Sequence, residues 1–263
     1  MNQLLTLGAV SLIASALLIG CGSDSSSNQE SNTTEEEENC TQFDVSTYPM
    51  STLTPELKDS LSYMGNEERL AYDVYQNLYK YHVTESATEI KQMKNISENS
   101  EVKHIAIVQD IVKKYNLTEE DFSNVTDGLN LKNSAIEDMP SGKYDIPSIQ
   151  ELYNALYSKG IVSTTEALFS ACMVEVTDVE DLDRYIEQAK TSNAEDIVAG
   201  FEVLRNGSYN HYWAFDKALK NAGVANGCYV EGDTLLTNKE GVYPMNEHDS
   251  GHGNGQGEGK NRS

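Results

Sequence analysis

Basic residues are scarce in this chain: 19 Lys and Arg stand against 42 Asp and Glu, a formal net charge of −23. Such a surface repels nucleic-acid phosphates and anionic lipid headgroups and attracts cations. Proline is also rare, at five in 263 residues, and no stretch sustains the two-residue apolar alternation of half-buried strands. No apolar run reaches the roughly 20 residues a membrane-spanning helix needs. Cysteine is limited to four residues, so any disulfide framework is small.

The apolar run nearest to a span, Leu12 to Ile19, is short and sits at the N-terminus, where it reads as a signal peptide over residues 1–20. Its ending, Leu18-Ile19-Gly20-Cys21, resembles a bacterial lipobox, in which Cys21 becomes the lipidated first residue of the mature protein. The expected location is therefore the bacterial cell envelope, exported and held to a membrane only through that lipid anchor. Ordinary cleavage without a lipid is the alternative, because Met1-Asn2-Gln3 carries no Lys or Arg. Residues 21–50, rich in Ser, Asn, Asp and Glu, read as a disordered acidic tether. Residues 227–263 read as a short strand or loop followed by a Gly-rich tail with His248 and His252.

Residues 51–226 suffice for one domain with one core, and helical periodicity dominates them. Thr54-Pro55-Glu56 predicts a helix start, followed by the inward stripe Leu61, Met64, Glu68, Ala71, Tyr75 and Leu78 to about Tyr81. Ser86 and Glu89 have capping-box spacing before a second helix with stripe Ile90, Met93, Ser97, Glu101, His104, Val108, Ile111 and Tyr115. A long connection containing Asp127-Gly128, Pro140 and Gly142 leads to a short helix from Pro147 to Lys159. Such a crossover is a feature of ferritin-like bundles. Ser163 and Glu166 cap a third long helix with Leu168, Cys172, Glu175, Asp178 or Val179, Leu182 and Ile186 inward. Ser192 and Glu195 cap a fourth, with Ile197, Phe201, Leu204, Ser208, His211, Phe215 and Ala218 inward, ended by Gly223. Gly200 and Gly207 inside it imply close approach of a neighbour or a local bulge.

Every long stripe is interrupted near its middle by a potential metal ligand: Glu68, then Glu101 with His104, then Glu175 with Asp178, then His211. Unpaired ionised carboxylates buried together would cost several kcal/mol each. Two divalent cations would neutralise four carboxylates, and a mixed oxygen and imidazole set suits iron first and manganese second. Alternatively, some of these groups reach solvent at the rim or pair with Lys and Arg. Cys172 falls on a buried stripe and reads as a core residue, which leaves Cys40 and Cys228 as the expected disulfide.

The runs Met64-x-x-Glu67-Glu68-x-Leu70-Ala71-x-Asp73-Val74-Tyr75, Ser100-Glu101-x-x-His104, Glu175-x-x-Asp178-x-x-Asp181-Leu182 and Gly207-Ser208-x-Asn210-His211-x-x-Ala214-Phe215 resemble a bacterial and archaeal ferritin-like family, domain of unknown function 2202. The first helix is also similar to that of rubrerythrin, where Ala and Tyr follow the ligand Glu at plus three and plus seven; this selects Glu68 over Glu67. The resemblance implies an all-α ferritin-like four-helix bundle with a di-metal carboxylate site, but no substrate. It also marks a departure: Ser208 stands where such bundles carry a second helix-four Glu, and Asp178 is the available replacement.

Two functions follow as expectations. One is a di-iron oxidoreductase of ferroxidase or peroxidase type that oxidises Fe(II) or reduces dioxygen or peroxide. In it Glu101 and Glu175 bridge the metals, and Tyr72, Tyr75 or Tyr212 serves as a one-electron donor. The other is a non-catalytic metal-binding or interaction module with one metal or none. The expected partners are metal ions and not nucleic acid, with homodimerisation left open.

Overall fold

A computed structural model of the chain describes residues 43–125, 136–229 and 243–244. The expected signal peptide, Cys21, the first part of the acidic tether with Cys40, the Asp127-Gly128 turn, and His248 and His252 of the tail lie outside the described residues.

The described residues are all-α, with no strand among them. Helix α1 spans Pro55–Ser86; Thr54 Oγ1 accepts from the Leu57 N–H at 3.2 Å, and Pro55 occupies the first turn, where its missing N–H costs nothing. It runs past Tyr81 and ends at Ala87, whose left-handed φ of 51° lets its N–H reach the His82 carbonyl. Ser86 therefore belongs to α1, and the expected capping box does not form. The next helix, α2 (Lys91–Ile96), starts from Ile90 without a side-chain cap.

Between α2 and α3 (Val102–Lys114) lies a π-helical turn, Ser97–Glu101. The stripe Met93, Ser97, Glu101 advances by two consecutive steps of four, one residue more than a heptad allows, and the wider turn keeps all three residues buried. Helix α4 covers Pro147–Gly160. Helix α5 (Thr164–Thr191) is capped by Ser163 Oγ, which accepts from the Glu166 N–H. Helix α6 (Glu195–Asn221) has Ala194 at its N-cap and makes no side-chain cap bond, so Ser192 does not play the expected role.

The short link between α5 and α6 makes them antiparallel neighbours, and theirs is the most extensive helix contact; α1 packs against α5, α4, α3 and the π turn. Two apolar regions result. One gathers Leu57, Leu61, Met64, Val108, Ile111, Leu182, Ile186, Phe201 and Leu204. The other gathers Leu70, Val74, Tyr75, Leu78, Met93, Leu168, Cys172 and Phe215. On α1 Glu67 and Glu68 fall between these two sets, as do Ser208 and His211 on α6, and with Glu175 and Asp178 of α5 they form a buried polar layer.

The packed domain begins before residue 51. Val45, in a 3-10 turn (Val45–Thr47), is buried. Lys114 Nζ donates to the Val45 and Tyr48 carbonyls at 3.1 Å and to Asp196 at 2.8 Å, which ties residues the tether was expected to contain onto α3 and α6. At the other end Tyr243 is buried, and the Trp213 indole donates to the Pro244 carbonyl.

Cys228 forms a disulfide with Cys172, not with Cys40. Cys172 is buried on α5 as its stripe implies, but the turn after α6 folds back over that face and delivers Cys228 to it. Gly227 makes this possible: its φ is +57°, and a Cβ there would overlap Asp216, whose Oδ1 accepts from the Cys228 N–H. No described helix is long and apolar enough to cross a membrane.

Candidate metal centre

All six residues singled out as ligands lie in the buried polar layer: Glu68 from α1, Glu101 from the π turn, His104 from α3, Glu175 and Asp178 from α5, and His211 from α6. Glu101 is the centre. Its Oε2 lies 3.2 Å from His104 Nδ1 and its Oε1 lies 3.0 Å from His211 Nδ1. Glu68 Oε2 lies 3.0 Å from His104 Nδ1, and Glu175 Oε1 lies 3.5 Å from His211 Nδ1. Each imidazole thus presents Nδ1 to two carboxylates, and Glu101 is shared.

The other imidazole faces are fixed from behind. His211 Nε2 is 2.7 Å from Ser100 Oγ, and with the Nε2 proton donated there Nδ1 is the nitrogen left to the carboxylates. The Nε2–Cε1 edge of His104 lies against α6 at Gly207: a Cβ there would sit 2.3 Å from Nε2. Gly207 is therefore the point of close approach that a glycine inside a helix implied. The Tyr75 hydroxyl donates to Glu175, and Ser208 Oγ donates to Asp178.

Several of these atoms lack hydrogen bonds. Both Glu101 oxygens, Glu68 Oε1, Asp178 Oδ1 and His211 Nδ1 are buried without a hydrogen-bond partner among the described residues. Glu101 Oε1 and His211 Nδ1 are close enough to bond but not aligned to do so. Buried, unpartnered electron-pair donors of this kind fit a cation bound among them. Glu101, His104 and His211 form the tightest set, each offering one ligand atom with all three within 4.8 Å of one another.

The electrostatics follow. Burial pushes Glu68 up to about 7 despite the pull of His104. Burial also raises Glu175 against the pull of His211, and raises Asp178 well above the carboxylate range with help from the negative charges of Glu68, Glu67 and Glu175. Glu101 goes the other way: burial alone would raise it, but His211 and His104 outweigh that and hold it below the usual range. Burial would lower both imidazoles; Glu68 and Glu101 raise His104 well above its ordinary value, and Glu101 and Glu175 raise His211 to about 9. In the metal-free protein these influences favour protons on both rings and on Asp178 and Glu68, and Glu101 is the carboxylate they keep ionised.

The resemblance to rubrerythrin selects Glu68 over Glu67, but Glu67 is 1% exposed and lies in the same layer. Adjacent helical residues point about 100° apart, and only the cross-packing of α5 decides that both are covered. The supporting roles of Ser100 and Ser208 also went unread, although both stand inside the recognised motifs.

These features define an all-α protein whose core holds a carboxylate and imidazole cluster suited to a cation. The chain belongs to the family described as an uncharacterized protein domain, DUF2202, whose profile matches residues 57–230 and so takes in all six candidate ligands. The uncharacterized protein MJ0754 of Methanocaldococcus jannaschii is 35% identical over 179 residues, spanning 68% of this chain and 83% of that protein. A crystal structure of hypothetical protein MJ0754 from Methanococcus jannaschii is similar with a TM-score of 0.54 at 32% identity, covering 67% of this chain and 86% of that one.

Proposed function

We propose that this chain is a ferritin-like four-helix metalloprotein that holds two divalent transition metal ions, iron or manganese, and oxidises Fe(II) or reduces dioxygen or peroxide. In this reading Glu68, Glu101 and His104 form one half of the site, and Glu101, Glu175 and His211 the other, with Asp178 beside them. The observation that carries it is Glu101: its two oxygens each face a different imidazole Nδ1, and neither oxygen accepts a hydrogen bond. A carboxylate in that position would be able to offer one oxygen to each of two cations. The metals, when bound, supply the electrons. The chain's own residues orient the imidazoles through Ser100 and the Gly207 backbone, exclude water by the apolar regions on either side, and place the Tyr75 hydroxyl on Glu175.

The leader and Cys21 support export and lipid anchoring at the cell envelope as part of the same proposal; they rest on the sequence. Metal analysis after aerobic purification tests the site: about two equivalents of iron or manganese are expected, and none would overturn it. One observation favours a second reading. Ser208 engages Asp178, and the compact triad of Glu101, His104 and His211 would suffice for a single ion. One equivalent, with no oxidation of added Fe(II), would select that non-catalytic module.

A further inference from the structure

Next to the candidate centre lies a second acidic pair. Glu67 is fully covered, and neither of its oxygens has a hydrogen-bond donor. It meets Asp181, which sits on α5 three residues beyond Asp178. The Asp181 side chain is 13% exposed, is held by the Tyr63 hydroxyl, and pairs at 2.6 Å with Arg184, whose own side chain is 60% exposed. From the surface inward the order is Arg184, Asp181, Glu67, and then Asp178 and Glu68, whose charges Glu67 feels or shares.

We propose that Asp181 and Glu67 form the route by which divalent cations reach the buried cluster, with Arg184 as the cation displaced at its mouth. The inference rests on the metal-binding reading above. A buried carboxylate without a donor is costly, and two carboxyl groups in contact need either a shared proton or a cation between or beside them. A passing cation would meet that need at each step, since every oxygen on the path is an electron-pair donor of the kind hard divalent ions prefer. The ion pair at the mouth is open to solvent at its Arg184 end, so an arriving dication can displace the guanidinium there.

The test is the rate at which the full-length, metal-free protein takes up Co²⁺, followed by stopped-flow visible absorption, with final stoichiometry read separately. Asp181→Asn and Glu67→Gln should load at least about tenfold more slowly yet reach the wild-type stoichiometry, and Arg184→Gln should load faster. Asp183→Asn, an exposed neighbour paired with Arg205, controls for general attraction and should load like wild type. Equal rates in all variants would overturn the route. So would a slowing in Asp183→Asn as large as that in Asp181→Asn, or a lower final stoichiometry in Glu67→Gln and Asp181→Asn, which would make them ligands of the centre. If wild type itself takes up no Co²⁺, the metal-binding reading fails first and the route with it.

Discussion

The imidazole rings of His104 and His211 lie stacked, with centroids 5.2 Å apart and planes inclined by 28°. Two rings that each carry a proton would repel in that arrangement, and both are nevertheless driven toward the charged form. The Glu101 carboxylate faces the Nδ1 atoms of both, and its negative charge makes the stacked pair tolerable. The same geometry serves the metal-free protein with protons and a metal-loaded one with cations.

Glu101→Gln should therefore weaken the metal-free fold. Charge repulsion among carboxylates alone would predict the opposite, but Glu101 is the counter-charge of two rings. Removing one partner of a buried ionic cluster costs about 3 kcal/mol, less whatever the rings recover by losing protons. Urea unfolding at pH 6 in the presence of chelator measures it. A variant as stable as wild type there would mean that the rings do not depend on Glu101.

The stability of the metal-free protein should fall as pH rises. His211 has a folded value of about 9 against an unfolded value near 6.5, so its contribution is complete below about pH 6.5 and is lost as pH rises through 9. Glu68, raised to about 7, acts in the same direction, because the folded state holds its proton more tightly between about pH 4.5 and 7. Metal competes with these protons, so its stabilisation grows with pH. Chelation should lower the melting temperature more at pH 8 than at pH 5. Equal shifts at the two pH values would contradict the assignment of protons to the rings.

Gly207→Ala places a methyl group where His104 Nε2 and Cε1 lie, at 2.3 and 2.4 Å. The roughly 1 kcal/mol gained in helix propensity is offset by forcing the ring aside, which costs about 1 to 3 kcal/mol. The expected result is weaker Co²⁺ binding, by calorimetry, with little net change in stability. Gly200→Ala meets the terminal methyl of Ile111 at 2.8 Å and the Phe43 ring at 3.5 Å, neither of them in the cluster, and should leave binding unchanged. Equal binding by both variants would show that His104 has room to spare.

Cys228→Ser opens a disulfide whose ends are 56 residues apart, worth about 4 kcal/mol in the chain-entropy model. Chemical denaturation of the oxidised wild type and the variant measures the loss. Non-reducing peptide mapping should recover Cys172 joined to Cys228 and no peptide joining Cys40 to either.

The order and type of the helices, the inward stripes and the residues that interrupt them follow from the sequence alone, because helical periodicity is a short-range property repeated over many turns. The Thr54 and Ser163 caps are legible for the same reason: cap and recipient are three residues apart. The Ser86 and Ser192 caps failed because tertiary packing extended α1 past Tyr81 and started α6 at Glu195, against a local preference worth only about 1 kcal/mol. What only the tertiary structure decided depends on distances between helices. Those distances chose Cys172 over Cys40 as the partner of Cys228, buried Glu67 beside Glu68, set Gly207 against His104, and gave Glu101 two imidazoles at once. Both rings are driven toward the charged form, and Glu101 alone is held below the usual carboxylate range, because each Nδ1 meets two carboxylate oxygens within 3.5 Å and Glu101 supplies one to each ring, and no spacing along the chain encodes that.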